Sequence, residues 1–282
     1  MIIDTNRRTT SHLSCLQAKG VKTIIRYYAR STSQPEKQLI RREAEAIVSS
    51  GISIAVVHQA GGANVGSFSG TKGKLDAEYA FKYAIETIGQ PAGSAIYFAV
   101  DFDCDATQFA NNVVPHLEAI NDINSSGGFS KQFVIGAYGN GLVLDGLLSK
   151  GLIEFAWLSQ STGHHGSRTF KVTNKWTLFQ ELPSTLCGIG VDVDDLNPLT
   201  NQFGKFETLD DIPGNGNRFR TTATPGLRLR AGPGTDFDVL RLLPPGTELV
   251  VVSRIGDWAI VDIDGNGMTD GAVHSGFLAL IN

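Results

Sequence analysis

The stretch AIYFAVDFD at residues 95–103 is an uninterrupted apolar run that ends directly in two acids. An apolar run of this length without polar alternation predicts a strand buried on both faces, as in a parallel sheet covered by helices. Side chains two apart on a strand point the same way, so Asp101 and Asp103 are expected to share one end of this strand. The stretch therefore predicts an α/β fold with acids at one edge of its sheet.

Similar apolar runs recur on both sides of this stretch throughout residues 1–200. Amphipathic stretches with helical spacing follow the first five runs, whereas the last three have short connections. The predicted strands cover residues 2–3, 23–29, 53–59, 95–100, 133–138, 155–158, 177–180 and 191–193. A doubly wound open sheet shares the early pattern, but the strand count and the short late connections favour closure. The sequence therefore predicts a parallel, TIM-like (β/α) barrel with irregular last three strands.

Acids stand at the ends of three predicted strands. Asp4 ends the first strand, Asp101 and Asp103 follow the fourth, and Asp192 lies at the eighth. The carboxyl ends of parallel barrel strands form the face that holds active sites. Neighbouring carboxylates raise one another's pKa, and a neutral acid beside an ionised carboxylate suits glycosidic cleavage. These four residues are the candidate catalytic residues; helix caps or a divalent cation site are the alternatives.

Polar and aromatic residues at matching strand ends are suited to contact sugar hydroxyl groups and rings. The candidate substrate-binding residues are Arg26, Tyr28, Gln59, Tyr138, Trp157, Gln160, Gln180 and Asp194. His58 is expected to be a buried strand residue, and His164-His165 lack zinc-ligand spacing. No metal or other cofactor is expected.

Composition narrows the class of protein. The 282 residues are 41% hydrophobic and 18% charged, with a net charge of −4 and no cluster of lysine or arginine, so nucleic acid is not an expected partner. The widely spaced Cys15, Cys104 and Cys187 predict buried thiols made in a reducing compartment. No apolar run reaches the ~20 residues of a membrane span. No signal-peptide pattern is seen, so action outside the cell would require release or another export route.

The chain changes character after residue 200. Residues 201–222, which include PGNGN at 213–217, predict a linker, and residues 223–282 read as short strands between Gly and Pro turns, as in a small all-β barrel. The segment DIDGNGMTD at 262–270 is similar to the first half of a calcium loop, but Val273 stands where a bidentate Glu is needed. A glycine-rich hairpin is therefore expected there, with a weak calcium site as the alternative.

Six segments of residues 1–200 form a recognisable set: ID at 3–4, IRYY at 25–28, AIYFAVDFD at 95–103, GAYG at 136–139, WLSQS at 157–161 and GVDVD at 190–194. Through these segments, residues 1–200 resemble a glycoside-hydrolase-like barrel family related to the family 25 lysozymes. In family 25 lysozymes the acids follow strands one, four and eight and cleave the muramic-acid linkage of peptidoglycan. The strand-four motif there is Asp-x-Glu, with Glu as proton donor. The resemblance implies this role for the shorter Asp103, and Asp192 in preference to Asp194 as the strand-eight acid.

Residues 223–282 resemble bacterial SH3-like domains through GLRLRAGPG at 226–234, LPPG at 243–246, GDW at 256–258 and VHSGFL at 273–278. Such modules commonly hold cell-wall hydrolases on peptidoglycan. The leading hypothesis is a monomeric, muramidase-like glycoside hydrolase whose partner is peptidoglycan or a related polysaccharide. The alternatives are a non-catalytic wall-binding protein on a degenerate barrel, and a hydrolase of another polysaccharide such as chitin.

Overall fold

The computed structural model describes residues 1–61, 63–212, 218–266 and 268–281. The chain forms two compact units, which consist chiefly of residues 1–210 and of residues 211–282. The first contains an eight-stranded closed barrel and the second a seven-stranded sheet. The predicted fold class, a TIM-like barrel with a small all-β SH3-like unit, is confirmed.

The barrel strands follow one another around the barrel in chain order. They are β1 (Ile2–Asp4), β2 (Thr23–Tyr28), β3 (Ser53–His58), β4 (Ala95–Ala99), β5 (Val134–Gly139), β6 (Phe155–Leu158), β7 (Leu178–Leu186) and β8 (Ile189–Leu196).

Helices lie in the connections between strands. They are α1 (Leu13–Ala18), α2 (Arg41–Ser49), α3 (Gly70–Lys82), α4 (Ala106–Gln108), α5 (Val114–Ser125), α6 (Gly141–Ser149) and α7 (Ser167–Val172), with π-helical turns at Tyr83–Ile88 and Phe109–Val113. Side-chain caps begin several of them; Asn140 Oδ1, for example, accepts the backbone N–H of Val143 at 3.0 Å at the start of α6.

The last strand of the barrel runs in the opposite direction from the others. Strands β1 to β7 pair in parallel, but β8 pairs antiparallel with both β7 and β1. The prediction of eight parallel strands is wrong here because Cys187 and Gly188, at φ 54° and 82°, form a two-residue hairpin turn directly after β7. The reversal places Asp192 opposite Asp4 and Asp194 opposite Ile2, so Asp192 is the nearer of the two to the mouth.

The barrel interior is filled by apolar side chains, with Tyr97 as one of the largest. Its ring lies against Gly136 on the neighbouring strand, where a Cβ atom would come within 2.6 Å of Tyr97 Cδ1. Residue 136 therefore has to be glycine for the ring to fit. The Tyr97 hydroxyl donates to the carbonyl oxygen of Phe203 at 2.9 Å, which satisfies it inside the core.

The stretch predicted as a linker divides into different parts. Phe203 and Phe206 are buried, and Phe206 pairs with Ile54 of β3, so this part of the stretch belongs to the barrel unit. Two isolated aromatic residues produce no periodic pattern, which is why the sequence did not reveal their burial. Residues 213–217 lie outside the described residues, and Arg218–Thr221 forms a strand of the second unit.

Cys15 and Cys187 form a disulfide with Cα atoms 5.9 Å apart, while Cys104 is a buried free thiol. The prediction of three thiols in a reducing compartment is therefore wrong for two of them. The two cysteines are 172 positions apart, and only closure of the barrel brings them together. Disulfides of this structural kind are typical of oxidising environments.

Reduction of this disulfide is expected to lower the free energy of unfolding by about 2–4 kcal/mol, since it cross-links a long loop of the unfolded chain. Urea denaturation followed by tryptophan fluorescence, with and without dithiothreitol, measures the difference. A Cys15→Ser/Cys187→Ser double variant is the control and should not respond to reductant. Equal wild-type midpoints in both conditions would contradict the expectation.

The second unit is an antiparallel sheet. Its strands are β9 (Arg218–Thr221), β10 (Leu227–Arg230), β11 (Val239–Leu243), β12 (Glu248–Ile255), β13 (Trp258–Asp262), β14 (Gly271–His274) and β15 (Leu278–Leu280), in the order β11-β10-β14-β13-β12-β9-β15. Its core is formed by Leu227, Leu229, Leu243, Leu249, Val251, Ala259, Val261 and Val273. The unit is consistent with an SH3-like domain.

The calcium-loop-like segment connects β13 and β14, which pair as an antiparallel hairpin. Asp262 Oδ1 accepts the backbone N–H groups of Gly265 and Asn266 at 2.7 and 3.2 Å, and Asp270 Oδ2 accepts that of Ile263 at 2.6 Å. The expected hairpin is confirmed, and its acids serve the turn; Gly267 lies outside the described residues. Among the residues described, no group of three or more His, Cys, Asp or Glu side chains is arranged to hold a metal ion. The described helices include none long and apolar enough to cross a membrane.

Candidate active site

Strand alternation separates the side chains that point into the barrel from those that face the surrounding layer. Ile2, Ile25, Val57, Tyr97 and Trp157 belong to the interior cluster. Residues of the same parity nearer the carboxyl ends of the strands line a pocket above this cluster. The apolar interior therefore continues into a polar mouth.

This pocket has a volume of about 500 Å³. Eight of the predicted site residues line it: Asp4, Gln59, Asp101, Tyr138, Trp157, Gln160, Gln180 and Asp192. The structure therefore brings together most of the residues that the sequence placed at the strand ends. Asp103, Arg26, Tyr28 and Asp194 do not line this pocket, as far as the described residues show.

Asp4 is the most enclosed carboxyl group that lines the pocket, with 2% of the residue exposed. Its Oδ1 accepts the Tyr27 hydroxyl at 2.8 Å and its Oδ2 accepts Gln180 Nε2 at 2.9 Å. The same Gln180 nitrogen lies 3.2 Å from Asp192 Oδ2, and Gln180 Oε1 accepts the Tyr138 hydroxyl at 2.8 Å. One amide therefore connects two carboxyl groups and holds them close together.

Burial controls the protonation of these acids. Removal from water raises the pKa of Asp4 to about 7; the Gln180 hydrogen bond opposes this rise, the charge of Asp192 adds to it, and the Tyr27 hydrogen bond also opposes it. Burial likewise raises the pKa of Asp192 above its usual range. At neutral pH a substantial fraction of Asp4 is therefore a neutral acid that carries a proton.

Asp101 lies on a different side of the same pocket, two residues beyond the end of β4, and is exposed to solvent. Its Oδ2 accepts Gln59 Nε2 at 3.1 Å. Gln59 Oε1 in turn accepts a hydrogen bond from Lys37 Nζ, and this nitrogen lies 4.4 Å from the centre of the Tyr27 ring. Asp101 is thus positioned by an amide that also holds a lysine.

Asp103 was predicted to share the mouth with Asp101, and the structure separates them. β4 ends at Ala99, so the alternation of strand side chains no longer applies at residue 103. Asp103 Oδ1 accepts the backbone N–H of His165 at 2.8 Å, lies 2.8 Å from His165 Nδ1 and accepts Asn140 Nδ2 at 3.2 Å. Its slight burial acts to raise its pKa, but these hydrogen bonds hold the pKa below the usual range. A carboxyl group held ionised in this way is poorly suited to donate a proton.

Arg26 and Tyr28 were predicted to contact substrate, and both side chains are fully buried outside the barrel interior. Arg26 forms an ion pair with Glu43 of α2 at 3.1 Å, and the Tyr28 hydroxyl donates to Gln90 Oε1 at 2.9 Å. The interior positions of β2 have the opposite parity and are occupied by Ile25 and Tyr27. The prediction was one residue out of register, which moves a side chain to the other face of a strand.

Asp194 lies one layer below Asp192 and is buried, with 3% exposure. Its Oδ1 accepts Trp157 Nε1 at 2.8 Å, and burial with the nearby charge of Asp4 raises its pKa well above the usual range. Asp192, not Asp194, is therefore the strand-eight acid that reaches the pocket. His58 is buried on β3, as predicted, with Nε2 at 3.4 Å from Asp76 Oδ1.

Sequence reasoning missed several pocket residues, and two of them, Tyr27 and Lys37, form hydrogen bonds with predicted site residues. Tyr27 has the same strand parity as the buried Ile25, and this parity predicts that its side chain points into the barrel. The prediction chose its polar and aromatic neighbours Arg26 and Tyr28 instead, whose side chains point to the other face of the strand. Lys37 lies on the short 3₁₀ turn Pro35–Lys37 in the connection after β2. No local pattern marks a loop lysine as a pocket residue.

Comparison with known proteins agrees with this architecture. Residues 14–194, more than half of the chain, match the family model described as the Rv2525c-like, glycoside hydrolase-like domain. Residues 225–279 match the bacterial SH3 domain. The Tat-secreted protein Rv2525c of Mycobacterium tuberculosis has a similar structure, with a TM-score of 0.59 and 23% identity over 72% of this chain and 97% of that chain.

Two Bacillus subtilis proteins are similar in sequence. FadG is 29% identical over 218 residues, which are 75% of this chain and 37% of FadG. YbfG is 28% identical over 228 residues, which are 72% of this chain and 31% of YbfG. This chain thus spans about a third of the length of these relatives. The closed barrel and the family match together show that the chain belongs to the Rv2525c-like glycoside hydrolase-like family and carries a bacterial SH3 domain after its barrel.

Proposed function

We propose that this protein is a glycoside hydrolase of the muramidase type that acts on peptidoglycan. The observation that carries the proposal is Asp4, a buried carboxyl group with a pKa raised to about 7 that opens onto a pocket with two further acids, Asp101 and Asp192. A neutral acid and a second carboxyl group in one cleft are the groups that glycosidic cleavage uses.

In the proposed reaction Asp4 donates its proton to the glycosidic oxygen as the bond from this oxygen to the anomeric carbon breaks. Water adds to the anomeric carbon, and the proton that it loses passes to a carboxylate. Asp192, which shares the Gln180 amide with Asp4, and Asp101 on the other side of the pocket are the candidates for this carboxylate and for stabilising the positive charge on the sugar. Tyr138, which is partly exposed, offers aromatic surface to a sugar ring, and the buried Trp157 packs against its ring.

The SH3 domain and the disulfide support a cell-wall location. Bacterial SH3-like modules commonly accompany wall hydrolases, so residues 225–279 are proposed to hold the barrel on peptidoglycan. The Cys15–Cys187 disulfide supports action outside a reducing compartment, after export or release.

The test is mass spectrometry of the products from purified peptidoglycan digested by the full chain. We expect soluble muropeptides with new reducing ends at muramic acid, and about 10³-fold slower release of them by the Asp4→Asn variant. Digestion of chitin oligosaccharides in parallel tests the other polysaccharide. Products from chitin but not from peptidoglycan would replace the proposed substrate, and the absence of products from both would refute the proposed hydrolysis.

The roles of the remaining acids are tested by two matched substitutions. Asp192→Asn is expected to lower kcat/KM by about 10²-fold or more, since it removes the carboxylate next to Asp4 that is a candidate to accept a proton from water or to stabilise the positive charge on the sugar. Asp103→Asn is expected to leave the rate at the wild-type level, because Asp103 is held by His165 and Asn140 outside the pocket. Initial rates of muropeptide release measure both. If Asp103→Asn is the inactive variant, Asp103 is the proton donor that the family resemblance implies.

A non-catalytic wall-binding protein is the second candidate function. It is favoured by Asp103, which stands where the family 25 relatives carry a proton-donating Glu and does not reach the pocket. Sedimentation of the chain with wall sacculi, without release of any sugar, would favour this function over hydrolysis.

A further inference from the structure

We propose that Lys37 forms a subsite for a carboxylate carried by the sugar substrate, so that the pocket selects an acidic glycan over a neutral one. The inference rests on the proposed function in one respect, namely that the pocket binds a glycan.

Lys37 has a fixed position on the pocket wall. Its turn is anchored from below, because the buried Arg26 Nη2 donates to the backbone carbonyl of Glu36 at 2.7 Å. The ammonium group is held against the Tyr27 ring at 4.4 Å from its centre and donates to Gln59 Oε1. The lysine is therefore preorganised toward the pocket, and a ligand would not have to order a mobile side chain.

No carboxylate of the described residues lies within ion-pair distance of Lys37. Within the described residues Lys37 forms no ion pair, whereas Arg7, the other cation that lines the pocket, lies 3.8 Å from Glu36. Gln59 stands between Lys37 and Asp101, since it accepts from the ammonium group and donates to the carboxylate. Partial removal of an ammonium group from water without a paired anion costs free energy. An anion that enters with the substrate would offset this free-energy cost by pairing with the ammonium group.

The chemistry of the site selects one class of substituent. An ammonium group donates up to three hydrogen bonds, of which Gln59 accepts one, so donors remain for a carboxylate. The lactyl carboxylate of N-acetylmuramic acid, which is free only on muramic acid units without an attached peptide, and the carboxylate of a uronic acid have this chemistry in common. Neutral sugars such as N-acetylglucosamine lack it. The site therefore distinguishes acidic from neutral glycans, and the test below separates the two sources of the carboxylate.

The competing explanation is that Lys37 only balances the negative charge of Asp101 and Asp4. Burial lowers the pKa of Lys37, and those two carboxylates act to raise it, so the protein's own acids do contribute to its charge state. A lysine with this role alone would affect acidic and neutral ligands equally.

The experiment measures binding of small sugars that contain no bond to cleave, by isothermal titration calorimetry with the full chain. The probes are N-acetylmuramic acid, its lactyl carboxamide, N-acetylglucosamine and glucuronic acid. We expect wild type to bind N-acetylmuramic acid about tenfold more tightly than its carboxamide. This ratio corresponds to the free energy that one charge-assisted hydrogen bond contributes. Lys37→Met should remove this preference, and Lys37→Arg should retain part of it. Lys175→Met, at an exposed lysine that pairs with Asp145, is the control and should bind as wild type.

Each outcome decides a separate point. Wild-type binding of the acid and its carboxamide with equal affinity overturns the carboxylate subsite and leaves glycan binding intact. A Lys37→Met variant that loses affinity for both forms equally supports charge balance alone and also overturns it. Binding of none of the sugars overturns both this inference and the glycan pocket. A Lys37-dependent preference for glucuronic acid over N-acetylmuramic acid assigns the carboxylate to a uronic acid.

Discussion

Replacement of Asp4 by asparagine is expected to lower kcat/KM on peptidoglycan by about 10³-fold, within the range that a general acid contributes. Asparagine has nearly the same shape but cannot donate the proton to the leaving oxygen. The wild-type rate should also fall as pH rises through about 7, the raised pKa of Asp4, because the carboxyl group then loses the proton that it donates. Initial rates of muropeptide release between pH 5 and pH 9 measure both effects.

The same substitution should change stability in the opposite direction. The folded pKa of Asp4 is raised from 3.8 to about 7, so its contribution to folding is fully present below about pH 4 and is lost as pH rises to about 7. Asparagine does not titrate. The free energy of unfolding of Asp4→Asn relative to wild type should therefore increase by at most about 1.4 kcal/mol per pH unit across this window and then level off.

Urea denaturation of both proteins at several pH values tests this linkage. Asp103→Asn is the matched control, because its carboxyl group is exposed and has a lowered pKa. An inactive Asp4→Asn protein whose relative stability does not change with pH would contradict the protonation of Asp4 near neutral pH. An active Asp4→Asn protein would remove Asp4 from the proposed mechanism.

Replacement of Glu43 by glutamine is expected to lower the free energy of unfolding by about 3–5 kcal/mol, as is typical when one partner of a buried ion pair is removed. Glu43 and Arg26 are both fully buried and lie 3.1 Å apart. Glu43 also accepts the backbone N–H and the hydroxyl of Thr9 at 2.8 Å each and Arg8 Nη1 at 3.2 Å. The substitution leaves the Arg26 charge buried without a counter-ion.

Guanidinium chloride denaturation of the folded protein measures this effect, and Glu78→Gln on the exposed face of α3 is the control with little expected change. The double variant Arg26→Met/Glu43→Leu should be more stable than Glu43→Gln, since it buries no unpaired charge. A single variant as stable as wild type would show that the pair contributes nothing. Because Arg26 also anchors the turn that carries Lys37, weakened sugar binding by a folded Glu43→Gln protein is expected as well.

The strands and the acids that follow them show which features local sequence patterns can predict. The apolar run at 95–100 predicts a strand whatever surrounds it, and β4 at Ala95–Ala99 agrees with this expectation. The acids Asp4, Asp101 and Asp192 could be placed at the mouth from their positions next to apolar runs, and all three line the pocket. Tyr27 followed from the same alternation and was missed, since one step along a strand exchanges interior and exterior faces.

The sequence by itself thus determined the fold class, the existence of two units of different kind, and the set of polar residues near the strand ends. Only the tertiary structure decided the direction of β8, the Cys15–Cys187 disulfide, the burial of Phe203 and which acid meets the pocket. The physical reason is the distance along the sequence between the residues that contact one another. Strand and helix patterns arise from neighbours along the chain, whereas barrel closure joins residues far apart in sequence. Asp103, the acid that the sequence predicted as proton donor, shows the difference. Because β4 ends at Ala99, Asp103 lies beyond the strand and binds His165, and the buried acid with a raised pKa is Asp4 instead.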